Sequence, residues 1–318
     1  MNNQQGLMVS VLIITYKHEN YIAEAIESII SQRTDFEFEL VIGEDFSPDN
    51  TRKICEEYAK KYPEIVRLLP SERNYGPMGN YLRTLKACRG KYIALLEGDD
   101  YWCDNTKLQR QFDFLHNNPD FTICFTAVGI VDEMNLNRND EYFFPAWTKD
   151  VYTIEDFIVS EMNIIPTPTI MFRNELPDPL PDFYVNTMVG DMGLELFEGD
   201  KGKAKLLEGK TAIYRNHSAG LSKTPENLAK AEDALMKLYR DFNEYSEYRY
   251  DKIFRKRFLE NAKVKLIFGA TGKKGLNRVR HYFKNIPAYF KYSDKLNLKE
   301  ILYYHYVLFF PWLLKKKK

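Results

Sequence analysis

The chain is poor in cysteine. It has four, Cys55, Cys88, Cys103 and Cys124, far apart and without a CxxC pair. That spacing excludes a disulfide framework and a zinc ribbon, and it fits a reducing compartment. Long apolar runs are missing too. The longest candidate, Ile301–Leu314, is interrupted by His305 and Pro311 and falls short of the roughly 20 residues of a spanning helix. The opening MNNQQGLMVS has neither a basic nor an apolar signal region, so no signal peptide is expected. Glycine (16) and proline (14) are modest in a chain of 318 residues. Collagen-like and low-complexity classes are excluded. What remains is 44% hydrophobic and 14% aromatic, enough for a sizeable core in one large domain or two.

Net charge is absent as well, with 45 Lys and Arg against 45 Asp and Glu. The balance hides a split. Residues 252–318 carry 18 basic residues and only three acidic ones, Glu260, Asp294 and Glu300. The rest of the chain is acidic to the same degree. Such asymmetry says that the two parts face different surroundings.

The first hundred residues alternate strand and helix patterns. Val9–Thr15 is a β-branched run suited to a strand buried on both faces. Asn20 is the expected cap of a helix in which Ile22, Ile26, Ile29 and Ile30 share a face. Phe38–Gly43 reads as the second strand, Thr51–Lys61 as the second helix and Val66–Leu69 as the third strand. A third helix over Met78–Cys88 and a fourth strand over Lys91–Leu96 follow. This order predicts an α/β fold: an open, mostly parallel, Rossmann-like sheet flanked by helices. Ligands bind outside the carboxyl ends of such strands. The polar clusters lie at those ends: Thr15–Glu19, Glu44-Asp45 and Glu97–Asp100. Later segments predict helices over Lys107–His116, Ile154–Ser160 and Asp191–Phe197. Strands are expected at Phe121–Val128, Thr169–Phe172 and Thr211–Arg215, the last leading to His217. Glu226–Phe268 reads as helical.

Glu97-Gly98-Asp99-Asp100 is the candidate chemical centre. Alternation along a strand end points Glu97 and Asp99 the same way, with Gly98 leaving room between them. Clustered carboxylates suit Mg²⁺ or Mn²⁺ held together with substrate phosphates. By itself an acidic tetrapeptide is more often a solvated turn.

The stretches VSVLIITYKHENYIAEAIESI (9–29), VIGEDFSPDNT (41–51), ERNYGPMGNYLRTLKACRGKYIALLEGDDYW (72–102), GDMGLELF (190–197) and YRNHSAGLS (214–222) together resemble family 2 glycosyltransferases of the GT-A fold. The resemblance implies a catalytic domain over 1–222, with a nucleotide-binding half to about 102 and an acceptor half over 103–222. A helical, basic extension fills 223–318. It also implies that Thr15 and Tyr16 line the nucleobase, with Glu19 nearby, and that Asp45 holds the base. Phe46 stands where the family has glycine, and Lys17 where it has asparagine. Asn74, Gly76 and Asn80 match the segment that closes over the nucleotide, and Arg73 is placed to meet a phosphate. Glu97 stands where the family has the Asp that approaches the ribose, and Gly98 beside it is placed in the nucleotide site. Asp99 is the metal ligand, with His217 as a further metal or diphosphate contact. Asp191 is the base, with helix capping as its local alternative.

The implied reaction is inverting transfer from a nucleotide sugar, a UDP-sugar by preference, to a hydroxyl of a glycan or lipid-linked glycan. The expected setting is synthesis of a cell-envelope, capsular or O-antigen polysaccharide, with Mn²⁺ or Mg²⁺ as cofactor. A nucleotidyltransferase shares the sheet type but wants a glycine-rich loop after the first strand, and Thr15–Asn20 has no glycine. A non-catalytic sugar-binding protein is the other alternative, and the intact Glu97, Asp99 and Asp191 argue against it. The run over 269–275 lacks P-loop spacing. The basic tail's aromatics alternate with Leu and Ile rather than forming a stacking platform, so no nucleic-acid partner is expected. The tail is expected to hold a cytoplasmic enzyme on the inner face of a membrane. Packing on the body or pairing two copies of the chain is the alternative.

Overall fold

The computed structural model describes residues 5–132, 149–160, 163–217, 225–271 and 275–293. The elements follow the chain as β1 (Gln5–Thr15), α1 (Ile22–Ile30), β2 (Phe36–Glu44), α2 (Thr51–Lys61), β3 (Val66–Leu68), α3 (Gly76–Ala87) and β4 (Tyr92–Glu97). Next come β5 (Tyr101–Trp102), α4 (Lys107–Asn117), β6 (Phe121–Asp132), β7 (Val151–Tyr152), α5 (Ile154–Val159), a 3₁₀ turn (Thr167–Thr169) and β8 (Met171–Arg173). Then follow α6 (Asp182–Val185), α7 (Gly190–Lys201), β9 (Lys203–Asn216), α8 (Pro225–Tyr245), α9 (Asp251–Thr271) and α10 (Gly275–Tyr292).

The strands form one sheet in the order β3-β2-β1-β4-β8-β6-β9-β5, with β7 also on β9. The pairs β3-β2, β2-β1, β1-β4 and β6-β9 are parallel. The antiparallel strands β5, β7 and β8 are two or three residues long. All the long strands therefore run one way, and their carboxyl ends share one edge. This is the expected α/β sheet.

The β-branched run of β1 is buried on both faces: Val9, Val11 and Ile13 are fully inaccessible, and so is Ser10 between them. Ile22, Ile26 and Ile29 of α1 and Leu40 and Ile42 of β2 join the same core. Removing an apolar side chain of this size from water stabilises by about 1.5–3 kcal/mol. One charge is stitched into this layer. Glu39, 3% exposed, accepts from Ser10 Oγ at 2.7 Å, from the Arg89 backbone at 2.9 Å and from the Arg67 and Arg89 guanidinium groups at 3.0 and 2.7 Å. Burial opposes the charge, but these donors outweigh it and hold the carboxyl below its ordinary range.

One cap differs from expectation. The cap position of α1 is Tyr21, not Asn20. The Tyr21 and Ile22 amides both bond to the His18 carbonyl, so a backbone turn supplies what a side chain was expected to supply.

The chain divides into two units, Met1–Leu238 and Tyr239–Lys318. The expected boundary near 222 and the segment Ile301–Leu314 lie outside the described residues. In the second unit α9 and α10 pair around Ala262, Leu266 and Tyr289.

Candidate active site

Three loops leave the common edge and are bonded to one another. After β1, Lys17 adopts a left-handed backbone with φ 60°, and its amide donates to Ser47 Oγ at 3.0 Å. The His18 amide donates to Thr51 Oγ1 at 2.9 Å. Glu19 accepts from the Asn50 backbone at 3.0 Å and its side-chain amide at 2.8 Å, so its carboxylate clasps the β1 loop to the β2 loop. After β2, Asp45 is buried, and its Oδ1 accepts from the Tyr75 amide at 2.7 Å. Phe46 keeps the left-handed conformation, φ 59°, that glycine adopts freely. Tyr16, Phe46 and Tyr75 are all exposed.

The approach to α3 is held from below. Asn80 is buried and donates to the Gly43 carbonyl at 2.6 Å. A Cβ on Gly43 would sit 1.9 Å from Thr84 Oγ1, so only glycine lets α3 approach β2 this closely. Arg83 donates to the Asn80 side chain and to the Glu44 and Pro70 carbonyls. Arg73 is exposed, with its guanidinium 5.0 Å from the centre of the Tyr75 ring.

At the end of β4 the acidic run makes the centre. Carboxylate oxygens of Glu97, Asp99 and Asp100 lie within 4.8 Å of one another. Gly98 packs against β1: a Cβ there would meet Thr15 Oγ1 at 2.4 Å and His18 Nδ1 at 3.0 Å. The space beside its Cα is thus filled by Thr15 and His18. Asp100 is buried, and its Oδ1 accepts from the Arg215 amide at 2.9 Å, which ties the acidic loop to β9. Its Oδ2 is buried with no hydrogen-bond partner among the described residues. His217 Nε2 lies 3.0 Å from Asp99 Oδ2 and His18 Nε2 lies 3.6 Å from the same oxygen. Burial, then the charges of Asp99 and Asp191, lifts the Glu97 carboxyl to about 8. Burial, then Asp99 and Glu97, pushes Asp100 up as well. Burial pushes the His18 imidazole down.

Asp191 stands in the first turn of α7, near enough for its charge to act on Glu97. The cap position of that helix is Val189, so Asp191 is not the cap. Its Oδ2 accepts from Asn163 Nδ2 at 2.5 Å and its Oδ1 from the Met192 amide at 2.9 Å. Burial raises its pKa, against these two donors. The N-terminal turns of α3 and α7 meet here, since a Cβ on Gly190 would lie 2.9 Å from Met78 Sδ.

The structure thus groups Glu97, Asp99, Asp100, His18 and His217, with Asp191 near enough to act on Glu97. Thr15 ends β1, and Tyr16 and Asp45 open the loops after β1 and β2. Asp100 was read in the sequence as part of the acidic run. His18, Asn163 and Arg215 were given no role there, because only the fold brings them in.

Residues 10–176 match the family model described as Glycosyl transferase family 2. That is more than half of the chain. The protein belongs to glycosyl transferase family 2. An uncharacterised protein of Mycobacterium tuberculosis is 35% identical over 213 residues, covering 67% of this chain and 60% of that protein. The chain thus spans about 60% of the length of such relatives. The minor teichoic acid biosynthesis protein GgaB of Bacillus subtilis is 38% identical over 141 residues, 41% of this chain and 15% of GgaB. Among solved structures, S. aureus TarS in complex with UDP-GlcNAc has a TM-score of 0.64 at 18% identity, over 90% of this chain and 81% of that one. The mannosyltransferase PcManGT of Pyrobaculum calidifontis, in complex with GDP-Man and Mn²⁺, has a TM-score of 0.54 at 18% identity, over 73% and 63%. These likenesses show the fold, which is the GT-A fold expected of this family 2 member.

Proposed function

We propose that this family 2 protein is an inverting glycosyltransferase that moves a sugar from a nucleoside diphosphate sugar, a UDP-sugar by preference, to a hydroxyl of a glycan or lipid-linked acceptor. The observation that carries the reading is the nearness of two acidic groups: Glu97, Asp99 and Asp100 converge at the end of β4, and Asp191, in the first turn of α7, is near enough for its charge to act on Glu97. An in-line displacement needs a base on one side of the anomeric carbon and charge stabilisation on the other.

A divalent cation fits the first group. Three carboxylates converge, and the buried Asp100 Oδ2 lacks a partner among the described residues, a costly arrangement unless something else satisfies it. Asp99 and Asp100 would hold the ion, with His217 and His18 on the Asp99 oxygen. When bound, the ion neutralises charge on a departing diphosphate. Asp45 and the loop over Thr15–Glu19 would bind the nucleoside. Asp191 would take the proton of the acceptor hydroxyl, held in place by Asn163 and the Met192 amide. Its raised pKa strengthens it as a base.

We place the catalytic domain over 1–222 and read 223–318 as a basic extension. The class of acceptor, a cell-envelope polysaccharide precursor, is supported by the likeness to GgaB and by the basic extension. No helix among the described residues is long and apolar enough to cross a membrane. The extension would hold the enzyme peripherally, on the cytoplasmic face. A panel of nucleotide sugars with Mn²⁺, read as nucleoside diphosphate release, tests the donor class. NMR of the product's anomeric configuration tests inversion, and product that retains the donor configuration would sink it.

A further inference from the structure

The loop after β2 carries a cost that the packing does not explain. Phe46 is a bulky residue held at φ 59°, a region rarely occupied by side chains of this kind. At the same position the residue is 56% exposed to solvent. Strain of this sort collects at ligand sites and is tolerated where it serves one. The neighbourhood says which ligand. The Asp45 amide donates to the Thr15 carbonyl at 3.0 Å, its Oδ1 takes the Tyr75 amide, and Ser47 Oγ takes the Lys17 amide. These bonds hold the backbone segments that carry Tyr16, Phe46 and Tyr75 to Asp45 and its loop, with 39%, 56% and 38% of each residue exposed. Arg73 and Arg83 lie against the Tyr75 ring at 5.0 and 4.8 Å and fix its place. Three exposed aromatic residues on segments bonded to one polar loop match a flat heterocycle with polar edges.

We infer that Phe46 is a nucleobase-binding wall and a determinant of donor nucleotide affinity, its ring supplying contact that the glycine at this position in the family does not. The inference rests on the donor reading above. Base–aromatic stacking changes affinity by about 5- to 150-fold per ring removed. Two variants separate the ring from the backbone. Phe46→Gly removes both the ring and the strain, while Phe46→Ala removes the ring alone. Both are expected to weaken UDP binding about tenfold by calorimetry with Mn²⁺ present. Binding of inorganic diphosphate, which has no base, is expected to stay unchanged. Phe46→Gly is expected to melt no lower than wild type, because glycine adopts this backbone without strain, whereas Phe46→Ala keeps the strained backbone. Phe46→Trp is expected to restore UDP affinity. If wild type binds UDP and Phe46→Gly binds it equally well, the assignment of Phe46 is overturned while the donor reading stands. Wild-type protein that binds no nucleoside diphosphate overturns the donor reading, and this one with it.

Discussion

His217 Nε2 lies 3.0 Å from Asp99 Oδ2, although 118 positions separate the two residues in the chain. The contact joins the end of β9 to the end of β4 at the acidic centre. A second bond, from the amide of Arg215, two residues before His217, to Oδ1 of Asp100, next to Asp99, fixes the same junction. The centre is thus assembled by strand order.

The first prediction concerns the cation. Burial and neighbouring carboxylates raise Glu97 to about 8 and push Asp100 up too. A cation must displace the protons these groups hold. Mn²⁺ affinity is therefore expected to rise between about pH 6 and pH 8, with protons released on binding. Calorimetry in buffers of different ionisation enthalpy counts those protons. Asp99→Asn is expected to abolish the Mn²⁺ enhancement of UDP binding. UDP binding by wild type that ignores the metal would sink the idea.

Much of this architecture was legible in the sequence. The runs Val9–Thr15 and Phe38–Gly43 announced buried strands because both faces had to be apolar, and the polar residues after them marked the ligand edge. The resemblance and the apolar run after it put Asp191 at the start of a helix, and it stands in the first turn of α7. The Asp100 bond to Arg215 was not, because it depends on the pairing of β5 with β9, and short strands leave no periodic trace. Asn163 falls in a stretch with no pattern at all. Asn20 was one residue early as a cap because cap preference is local, and the His18 carbonyl already closed that turn.

Lys107 shows the same limit and gives the second prediction. On an amphipathic helix a lysine reads as solvated, yet this one is fully buried. Its Nζ donates to Gln111 Oε1 at 2.5 Å and lies 4.2 Å from the Trp102 ring centre. Burial lowers its pKa to about 7, against the opposing pull of Cys124 and Asp104. Between that value and the ordinary lysine value the unfolded chain binds the extra proton, so this group's contribution to stability rises with pH. Lys107→Met, close in volume and uncharged, lacks that term. Its stability relative to wild type is expected to be greatest near pH 7 and to fall towards pH 9, by at most about 2–3 kcal/mol. Urea titrations at the two pH values measure the difference. A gap that does not change with pH would place the charged lysine elsewhere.

The third prediction concerns the basic extension. Residues 301–314 hold six aromatics and precede Lys315–Lys318. As a helix they would span about 21 Å, too short for a ~30 Å hydrocarbon core. Lying in the interface suits Tyr and Trp, and each nearby lysine adds about 1 kcal/mol on an anionic surface, weakened by salt. Full-length protein is expected to float with anionic liposomes at low salt, and a truncation before Ile301 to float less. If both remain with the soluble fraction, the tail is no anchor, and its pairing of two copies becomes the reading to test by light scattering.

The fourth prediction separates chemistry from support at Asp191. Its donors, Asn163 Nδ2 and the Met192 amide, favour the carboxylate, while burial favours the acid and wins. The acid limb of kcat should therefore lie above the ordinary range of an aspartate. Asp191→Asn is expected to lower kcat by roughly 10²–10⁴ with UDP affinity intact. Its melting temperature should stay within a few degrees, because Val189 and not Asp191 holds the cap position. Asn163→Ala removes a donor to the ionised form, so it should leave Asp191 harder to ionise and move the acid limb to higher pH. A purely structural Asn163 would lower stability without moving that limb. A kcat for Asp191→Asn near wild type would remove Asp191 from the chemistry, whatever the melt shows.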